Sequence, residues 1–449
     1  MSKYVDQVIA NVKEKHGNEP EFVQTVEEVL SSLAPVIDQH PEYEKVDLLG
    51  RMVEPERMFT FRVVWEDDNG NIHTNIGYRC QFNGAIGPYK GGLRFQPNVY
   101  PGIIKFLGFE QIFKNALTGL PIGGGKGGSD FDPAGKSDAE IMRFCQSFMT
   151  ALYRYIGPDI DVPAGDMGVG GREIGFLYGQ YRRLKGMFQN GVLTGKDLSF
   201  GGSLIRPEAT GYGAVYYLNE VLEHENDTIK GKTIACAGFG NVTWGICKKA
   251  AELGAKVITL SGPDGYIVDP DGVVTDEKIN YLLEMRASGR NVVKDYADKF
   301  GVEFFPGEKP WGVKADIIMP SAMQNDVNME QAKKIAANHP KYYIEVANMP
   351  TTNDALEFLK GQDGMIVAPS KAVNAGGVAV SALEMSQNSE RISWTAKEVD
   401  EMLKKIMHDI HKNSADAAEK YGLGYDLVAG ANIAGFDRVA QAMMGQGVF

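Results

Sequence analysis

Residues 232–265 read KTIACAGFGNVTWGICKKAAELGAKVITLSGPDG. An apolar run enters a glycine turn, a segment with helical spacing leaves the turn, and a second apolar run follows. Strand, turn, helix and strand in this order predict a parallel βαβ unit.

The glycine turn resembles part of a nucleotide-binding fingerprint. Gly238, Gly240 and Asn241 fit the start of GxGxxG, whereas Thr243 stands in the place of the third glycine. Gly238 would permit the tight turn, Gly240 would let a pyrophosphate approach, and the helix N-terminus would stabilise its negative charge. We therefore predict dinucleotide binding, and the alternative is a glycine turn that binds no ligand.

The residues after the second strand favour NAD over NADP. Asp264 follows the glycine turn somewhat later than the roughly 20 residues at which a ribose-binding carboxylate usually stands. Residues 257–277 contain no lysine or arginine but include Asp269 and Asp271, so a 2′-phosphate would be repelled. The alternative interpretation of Asp264 is a plain turn residue.

Three later apolar runs are typical of further buried parallel strands. They are ADIIMP (315–320), YYIEVAN (342–348) and MIVAPS (365–370). Thr395 and Glu398 form the pattern of a capping box, which predicts the start of a long amphipathic helix. We expect a Rossmann-like, doubly wound dinucleotide-binding domain at residues 201–424.

The first part of the chain shows a different pattern. Apolar and polar residues alternate in FTFRVVW (59–65), and the Asn-Gly pair at 69–70 is typical of a hairpin turn. Ser137 and Glu140 form a second capping box ahead of an amphipathic helix. We expect an α/β domain with a mixed sheet at residues 1–200.

The composition is that of a globular protein, with 43% hydrophobic and 23% charged residues in 449. The formal net charge is −12 and no lysine or arginine cluster stands out, which argues against nucleic acid and anionic membranes as partners. No apolar run approaches the ~20 residues needed to cross a membrane, and the N-terminus lacks an export signal. The four cysteines form no CxxC pair, so we expect reduced thiols and a cytoplasmic location.

The segment PIGGGKGGSDFD (121–132) surrounds Lys126 with glycines. A P-loop needs GxxxxGK[ST], but Leu120 stands where its first glycine should be and Gly127 where its serine or threonine should be. Lys126 is therefore not a P-loop lysine. We interpret the segment as a glycine-rich loop whose backbone approaches a ligand closely.

Other charged residues occur in comparable settings. Lys90 lies in GPYKGGLRF, Lys114 in GFEQIFKNAL and Asp166 in DVPAGDMGVG. If they converge on a small dianionic substrate, the crowded ammonium groups lower one another's pKa, and burial lowers it further. A lysine with a pKa of about 7–8 exchanges protons at neutral pH. The alternative is that these lysines are solvated surface charges.

Five motifs carry a resemblance to a known family. They are PIGGGKGGSDFDP, GPYKGGLRF, PAGDMGVG, RPEATGYG and KAVNAGGVAVS. They occur in the order found in the hexameric glutamate dehydrogenases, which the chain resembles over essentially its whole length. The turn SGPDGY most resembles the bacterial NAD-dependent members, clostridial ones in particular. The resemblance implies reversible oxidative deamination of L-glutamate to 2-oxoglutarate and ammonia with NAD as cofactor.

The resemblance also implies the catalytic residues and the site of the α-carboxylate. Lys126 would activate water and stabilise the carbinolamine, and Asp166 would shuttle protons. Lys114 and Gln111 would bind the substrate α-carboxylate, with the carbonyl of Gly165 near the amino group.

Further implications concern the substrate side chain, the cofactor and the assembly. Lys90 and Ser381 would bind the side-chain carboxylate. The implied polar contacts to the dinucleotide are Thr210, Asn241 and Asn348. The segment 425–449 would pack back on the first domain, the cleft between the domains would close for hydride transfer, and the first domain would assemble a homohexamer.

Alternative functions are less well supported by the residues. A branched-chain or aromatic amino-acid dehydrogenase would leave Lys90 buried and unpaired beside an apolar substrate, which is costly. A phosphotransferase of this type would need a P-loop, which the chain does not contain. A catalytically silent binding protein would not need both Lys126 and Asp166. His408 and His411 are expected on a solvated helix face, so we predict no metal site.

Overall fold

The computed structural model describes residues 3–448. The helices are α1 (Lys3–Lys15), α2 (Pro20–Ser32), α3 (Ala34–Ile37), α4 (Pro41–Lys45), α5 (Leu48–Met52), α6 (Pro101–Leu117), α7 (Asp138–Leu152), α8 (Gly171–Lys185), α9 (Ala209–His224), α10 (Asn241–Glu252), α11 (Asp276–Ala287), α12 (Lys294–Phe300), α13 (Met329–Ala337), α14 (Asn353–Lys360), α15 (Ser370–Val373), α16 (Gly376–Glu390), α17 (Ala396–Lys420) and α18 (Leu427–Gln446). The strands are β1 (Arg57–Glu66), β2 (Ile72–Asn83), β3 (Tyr89–Phe95), β4 (Gly123–Ser129), β5 (Asp161–Gly165), β6 (Thr233–Cys236), β7 (Lys256–Gly262), β8 (Gly265–Val268), β9 (Glu303–Pro306), β10 (Ile317–Met319), β11 (Tyr342–Ile344) and β12 (Ile366–Ala368).

The first sheet has the strand order β1-β2-β4-β3-β5. The pairs β1/β2 and β2/β4 are antiparallel, whereas β3 pairs in parallel with both β4 and β5. The predicted hairpin joins β1 to β2, and Gly70 in its turn has a φ of +83°. The mixed sheet predicted for the first part of the chain is confirmed.

The segment around Lys126 is a strand rather than the loop expected from its glycines. It forms β4, which is buried along its whole length in the middle of the sheet. A Cβ on Gly124 would lie 2.7 Å from the Ile112 side chain, and one on Gly127 would lie 2.7 Å from Leu93. These glycines therefore let α6 and β3 approach β4 closely. The groups that use this space belong to the protein and not, as expected from the sequence, to a ligand.

The second sheet has the order β12-β11-β10-β6-β7-β8-β9. Strands β12, β11, β10, β6 and β7 are parallel, which confirms the βαβ unit and the three later strands. Strands β8 and β9 are antiparallel additions that the sequence interpretation did not include. The reason is the two-residue turn Pro263–Asp264 after β7, because a parallel strand needs a crossover of a dozen or more residues.

The C-terminal helix returns to the first part of the chain. Helix α18 packs against α2 and α6, and Phe436 lies in the same apolar core as residues of α1 and α2. Arg438 Nη1 donates to the Ala116 carbonyl at the end of α6 over 2.8 Å. Of the helices within residues 3–448, none is long and apolar enough to cross a membrane.

A buried ion pair joins β2 to the start of β5. Arg79 and Asp161 are both 0% exposed, and Arg79 Nε donates to Asp161 Oδ2 over 2.9 Å. Arg79 Nη1 also donates to the Gly91 carbonyl over 3.0 Å, so the guanidinium spans the sheet beneath β3. The pair fixes β5, which leads directly into Asp166.

Replacing Asp161 with asparagine is expected to destabilise the fold strongly, because the Arg79 charge stays buried without its partner. Breaking such a pair costs about 3–5 kcal/mol in the free energy of unfolding, which corresponds to a fall in Tm of roughly 10 °C. Circular dichroism measures this fall. Asp298→Asn breaks the exposed pair with Lys294 and should change Tm by only about 1–3 °C. Equal shifts for both variants would contradict the expectation.

Candidate active site

Lys126 and Asp166 meet on one side of the first sheet. Lys126 lies in the middle of β4, and Asp166 directly follows Gly165 at the end of β5. The two strands flank β3, where a Cβ on Gly92 would lie 2.9 Å from Asp166 Cβ. The missing side chain leaves room for Lys126 Nζ to approach Asp166 Oδ2 to 3.1 Å.

Arg94 completes this cluster from the end of β3. Its Nε donates to Asp166 Oδ2 over 2.9 Å. Burial alone would raise the pKa of Asp166, but the charges of Lys126 and Arg94 outweigh it and lower the pKa to about 2. Burial lowers the pKa of Lys126 below its ordinary value, although the Asp166 carboxylate opposes this effect. The pair therefore consists of a lysine that gives up its proton more readily than usual and an aspartate that stays ionised.

Helix α6 supplies a second lysine and a glutamine. Lys114 is half-buried, and burial together with the Lys126 charge lowers its pKa to about 8. Gln111 donates to the buried Asn115, whose amide in turn donates to the main-chain carbonyls of Lys90 (2.9 Å) and Gly123 (2.5 Å). Asn115 thus ties α6 to the backbones of β3 and β4.

Binding of a dicarboxylate to the enzyme near pH 8.5 is expected to take up protons. Lys114, with a pKa of about 8, is then largely neutral, and a bound carboxylate favours its charged form and raises the pKa. Calorimetry with glutarate in buffers of different ionisation enthalpy should give an uptake of about one proton per site. Lys114→Met should reduce this uptake, and a binding enthalpy independent of the buffer would contradict the expectation.

The Lys90 ammonium lies deeper, at the start of β3. Lys90 is 1% exposed, and its Nζ donates to Thr194 Oγ1 over 2.8 Å. Burial and the charges of Arg206 and Arg79 lower the pKa of Lys90 well below its ordinary value. Ser381, within α16, accepts a hydrogen bond from Arg206 Nε over 3.0 Å. This arrangement suits an anionic side chain, because a carboxylate would offset the buried positive charge.

The glycine turn after β6 has the conformation that its residues predict. Gly238 has a φ of +76°, and its N–H donates to Ser261 Oγ at the end of β7 over 2.8 Å. Gly240 caps α10, which begins at Asn241, and an added Cβ on Gly240 would meet nothing within 4 Å. Thr243, in the place of the third glycine, donates to the Ala237 carbonyl over 2.8 Å. The Thr243 hydroxyl therefore ties the first turn of α10 to the backbone just after β6.

Two of the other three predicted cofactor residues accept hydrogen bonds within the protein. Asp264 accepts the backbone N–H groups of Val293 and Lys294, at the start of α12, over 2.8 and 3.0 Å. Asn348 is exposed and accepts from Asn374 Nδ2 over 2.9 Å. Thr210 lies in the first turn of α9, and a Cβ on Gly377 would reach its hydroxyl at 2.6 Å.

One cleft is lined by members of both groups, with Gly165 and Asp166 from the first sheet and Asn241 from the glycine turn. It has a volume of about 1090 Å³, and its walls include Gly165, Asp166, Arg206 and Asn241. The start of α10 lies where the sheet order reverses, since β6 is flanked by β7 on one side and β10 on the other. Ligands of open α/β sheets bind at such a point.

Sequence interpretation missed several residues that bond to the candidate site residues. Arg94, Arg206 and Asn374 lie inside the quoted motifs GPYKGGLRF, RPEATGYG and KAVNAGGVAVS, so the signal was available. Thr194 lies in no quoted motif, and only the fold brings it to Lys90. His411, expected on a solvated face, is 6% exposed and hydrogen-bonded to Tyr425.

Comparisons with known proteins show the family of the chain. A family model described as Glutamate/Leucine/Phenylalanine/Valine dehydrogenase matches residues 201–447, and its dimerisation-domain counterpart matches residues 55–183. The chain is 74% identical to an NAD-specific glutamate dehydrogenase of Clostridium symbiosum, with 100% of both chains covered. It is 57% identical to one of Bacteroides fragilis, with 99% of both chains covered.

A solved glutamate dehydrogenase structure gives the same result for the fold. It matches with a TM-score of 0.99 at 74% identity and covers 100% of both chains. The resemblance predicted from the five motifs and the two-part α/β fold are both confirmed. The chain belongs to the Glutamate/Leucine/Phenylalanine/Valine dehydrogenase family.

Proposed function

We infer that the chain catalyses the reversible NAD-linked oxidative deamination of L-glutamate to 2-oxoglutarate and ammonia. Within its family the chain is an NAD-specific glutamate dehydrogenase. The observation that carries this conclusion is 74% identity over the full length of an NAD-specific glutamate dehydrogenase. The buried Lys90 agrees with it, because a substrate without a second carboxylate would leave this ammonium unpaired.

The cleft fits a dinucleotide. The open approach to Gly240 and the free N-terminus of α10 suit a pyrophosphate. Asn374 is 4% exposed, and within residues 3–448 its Oδ1 has no hydrogen-bond partner, so it is available to a polar group of the cofactor. When bound, NAD supplies the acceptor for the hydride that leaves the substrate Cα. Gly238, Gly240, Asn241, Thr210 and Asn348 are proposed to hold it.

Asp264 is proposed as the residue that disfavours NADP. Its carboxylate follows β7, where the adenosine ribose of a bound dinucleotide lies in this fold. The hydrogen bonds from the Val293 and Lys294 amides fix the position of the Asp264 carboxylate. The nearby Lys294 ammonium forms an exposed ion pair with Asp298, which partly offsets its positive charge.

Two anchors are proposed to orient the substrate. Lys114 and Gln111 bind the α-carboxylate, and Lys90 and Ser381 bind the side-chain carboxylate. Holding both ends fixes the position of Cα, which is the main requirement for hydride transfer. The Gly165 carbonyl is proposed to accept a hydrogen bond from the amino group.

Lys126 and Asp166 are proposed to move the protons. After the hydride has left, Lys126 in its neutral form takes a proton from the water that adds to the iminium carbon. The resulting ammonium stabilises the carbinolamine oxygen. Asp166 exchanges protons with the nitrogen, so that ammonia leaves as the carbon–nitrogen bond breaks. The 3.1 Å contact between the two side chains is consistent with these linked roles.

We further propose the organisation of the chain and its assembly. The substrate domain comprises residues 1–200 with 425–449 added, and residues 201–424 form the cofactor domain. The packing of α18 on α6 supports the return of the C-terminal segment. A homohexamer in the cytoplasm is proposed, with the dimerisation-domain match at residues 55–183 as support. Light scattering should give six chain masses, and a stable monomer would contradict the assembly.

A panel of L-amino acids with NAD and with NADP, followed by the absorbance of the reduced nicotinamide, tests the proposed function. Turnover of glutamate with NAD is the expected result. Turnover of leucine or phenylalanine in its place would assign the chain to another branch of the family. A preference for NADP would remove Asp264 as the discriminating residue.

A further inference from the structure

Glu384 is a buried carboxylate that the proposed reaction does not use. It lies on α16, one turn after Ser381, and is 0% exposed. Its Oε2 accepts the Gly195 N–H over 3.0 Å, and its Oε1 accepts the Lys196 ammonium over 2.8 Å. One carboxylate therefore holds both the backbone and the side chain of the turn at residues 194–196.

This turn carries the direct partner of Lys90. Thr194 is 0% exposed, its N–H donates to the Pro163 carbonyl of β5, and its Oγ1 accepts from Lys90 Nζ over 2.8 Å. Two successive sets of contacts thus connect Glu384 on α16 to Lys90. Glu384 accepts hydrogen bonds from the turn, and Thr194 in the turn accepts a hydrogen bond from the Lys90 ammonium.

The same carboxylate lies among several buried cations. The charged groups that act on Lys90 are Arg79 from β2, Arg206 and Lys196 from the segment before α9, and Glu384 from α16. Arg79 is already paired with Asp161. Glu384 is therefore the carboxylate that offsets the charges of Lys90, Lys196 and Arg206 when no substrate carboxylate is bound.

We propose that Glu384 is a positioning residue for the substrate's side-chain carboxylate: it fixes the Thr194 turn that aims Lys90, and it offsets the charge shared by Lys90, Lys196 and Arg206. This inference rests on the proposed function, since it assigns Lys90 to the glutamate side chain. Loss of the Glu384 charge lowers the pKa of Lys90 further, because the neighbouring cations then act on it without opposition. A neutral Lys90 binds a carboxylate poorly, whereas an apolar side chain gains nothing from the charge of the ammonium.

Glu384→Gln tests the proposal, because it keeps the shape and removes the charge. The KM for glutamate is expected to rise roughly 10-fold or more at neutral pH, with kcat within about 3-fold. The pH above which this KM increases should move down by about one unit. The KM for norleucine, which lacks the second carboxylate, should not rise. Glu384→Asp, which keeps the charge, should restore most of the pH profile.

Thr194→Val provides a second test if the first variant does not fold. It replaces the hydroxyl with a methyl group of similar size and should raise the KM for glutamate roughly 10-fold without raising the KM for norleucine. Glu390→Gln, an exposed glutamate on the same helix, is the matched control and should leave both substrates unaffected.

The outcomes separate this inference from the proposed function. Failure of the unsubstituted enzyme to oxidise glutamate with NAD would overturn the proposed function. An active enzyme whose Glu384→Gln variant keeps its glutamate KM and pH profile would overturn the role of Glu384 alone. Equal losses for glutamate and norleucine, accompanied by a lower Tm, would also overturn it, since they would indicate a purely structural contact.

Discussion

Replacement of Lys126 by alanine is expected to lower kcat for glutamate by roughly 10³- to 10⁴-fold, the range that a positioned acid–base group contributes. Burial lowers the pKa of this lysine below its ordinary value, so that its ammonium gives up a proton more readily than a solvated lysine does. Alanine supplies neither a base for the attacking water nor a charge for the carbinolamine oxygen. Steady-state kinetics with saturating glutamate and NAD measures the loss.

Two further variants define what Lys126 does. Lys126→Arg keeps a charge but has a pKa too high for proton exchange, so it should also be nearly inactive. Lys397→Ala, at a side chain 84% exposed, should keep normal kinetics. Binding of NAD, measured by calorimetry, should remain near normal in all three variants. A Lys126→Ala enzyme with full kcat would remove Lys126 from the mechanism.

The second large effect is expected at Lys90. Lys90→Leu should lower kcat/KM for glutamate roughly 10²- to 10³-fold, because truncating one partner of a buried charge pair has an effect of this size. The side-chain carboxylate would then enter a pocket that offers it Ser381 and Arg206 but no ammonium. The same substitution should raise kcat/KM for norleucine and methionine roughly 10-fold, since an apolar side chain no longer faces a buried charge.

Kinetics with glutamate, norleucine and methionine, side by side, measure this change of preference. Lys105→Leu, at a lysine paired with Glu19 outside the cleft, is a suitable control and should keep the preference for glutamate. If kcat/KM for glutamate survives in Lys90→Leu, the side-chain carboxylate is bound elsewhere, and Arg206, bonded to Ser381, is the first residue to test.

Much of the fold could be predicted from local patterns. The hairpin at Asn69–Gly70, the capping boxes at Ser137 and Thr395 and the βαβ unit around Gly238 all depend on residues close together in sequence, and the structure confirms each of them. The segment around Lys126 could not be predicted in this way. Glycine is rare in strands, and the reason for it here is the close approach of α6 and β3, which are separated from it in sequence.

The candidate site shows the same division. The motifs named Lys126, Asp166, Lys114 and Lys90 as candidates, and these roles stay proposals until the variants are measured. Their partners were harder to find, because a contact such as that between Thr194 and Lys90 joins residues far apart in sequence. A sequence window around Asp264 also leaves out one of its neighbours. Lys294 lies outside residues 257–277, yet the fold places its backbone N–H on the Asp264 carboxylate.

The sequence by itself determined the family, the strand–turn–helix unit that suits a dinucleotide, and the lysines and aspartate that suit a dicarboxylate substrate. These features depend on residue type and local spacing, which a single chain displays directly. Only the tertiary structure decided which groups share a charge environment: Asp166 with both Lys126 and Arg94, and Lys90 with Thr194 within reach of the Glu384 charge. The physical reason is that burial and Coulomb interactions depend on distance in space, and the folding of β3, β4, β5 and α16 sets those distances.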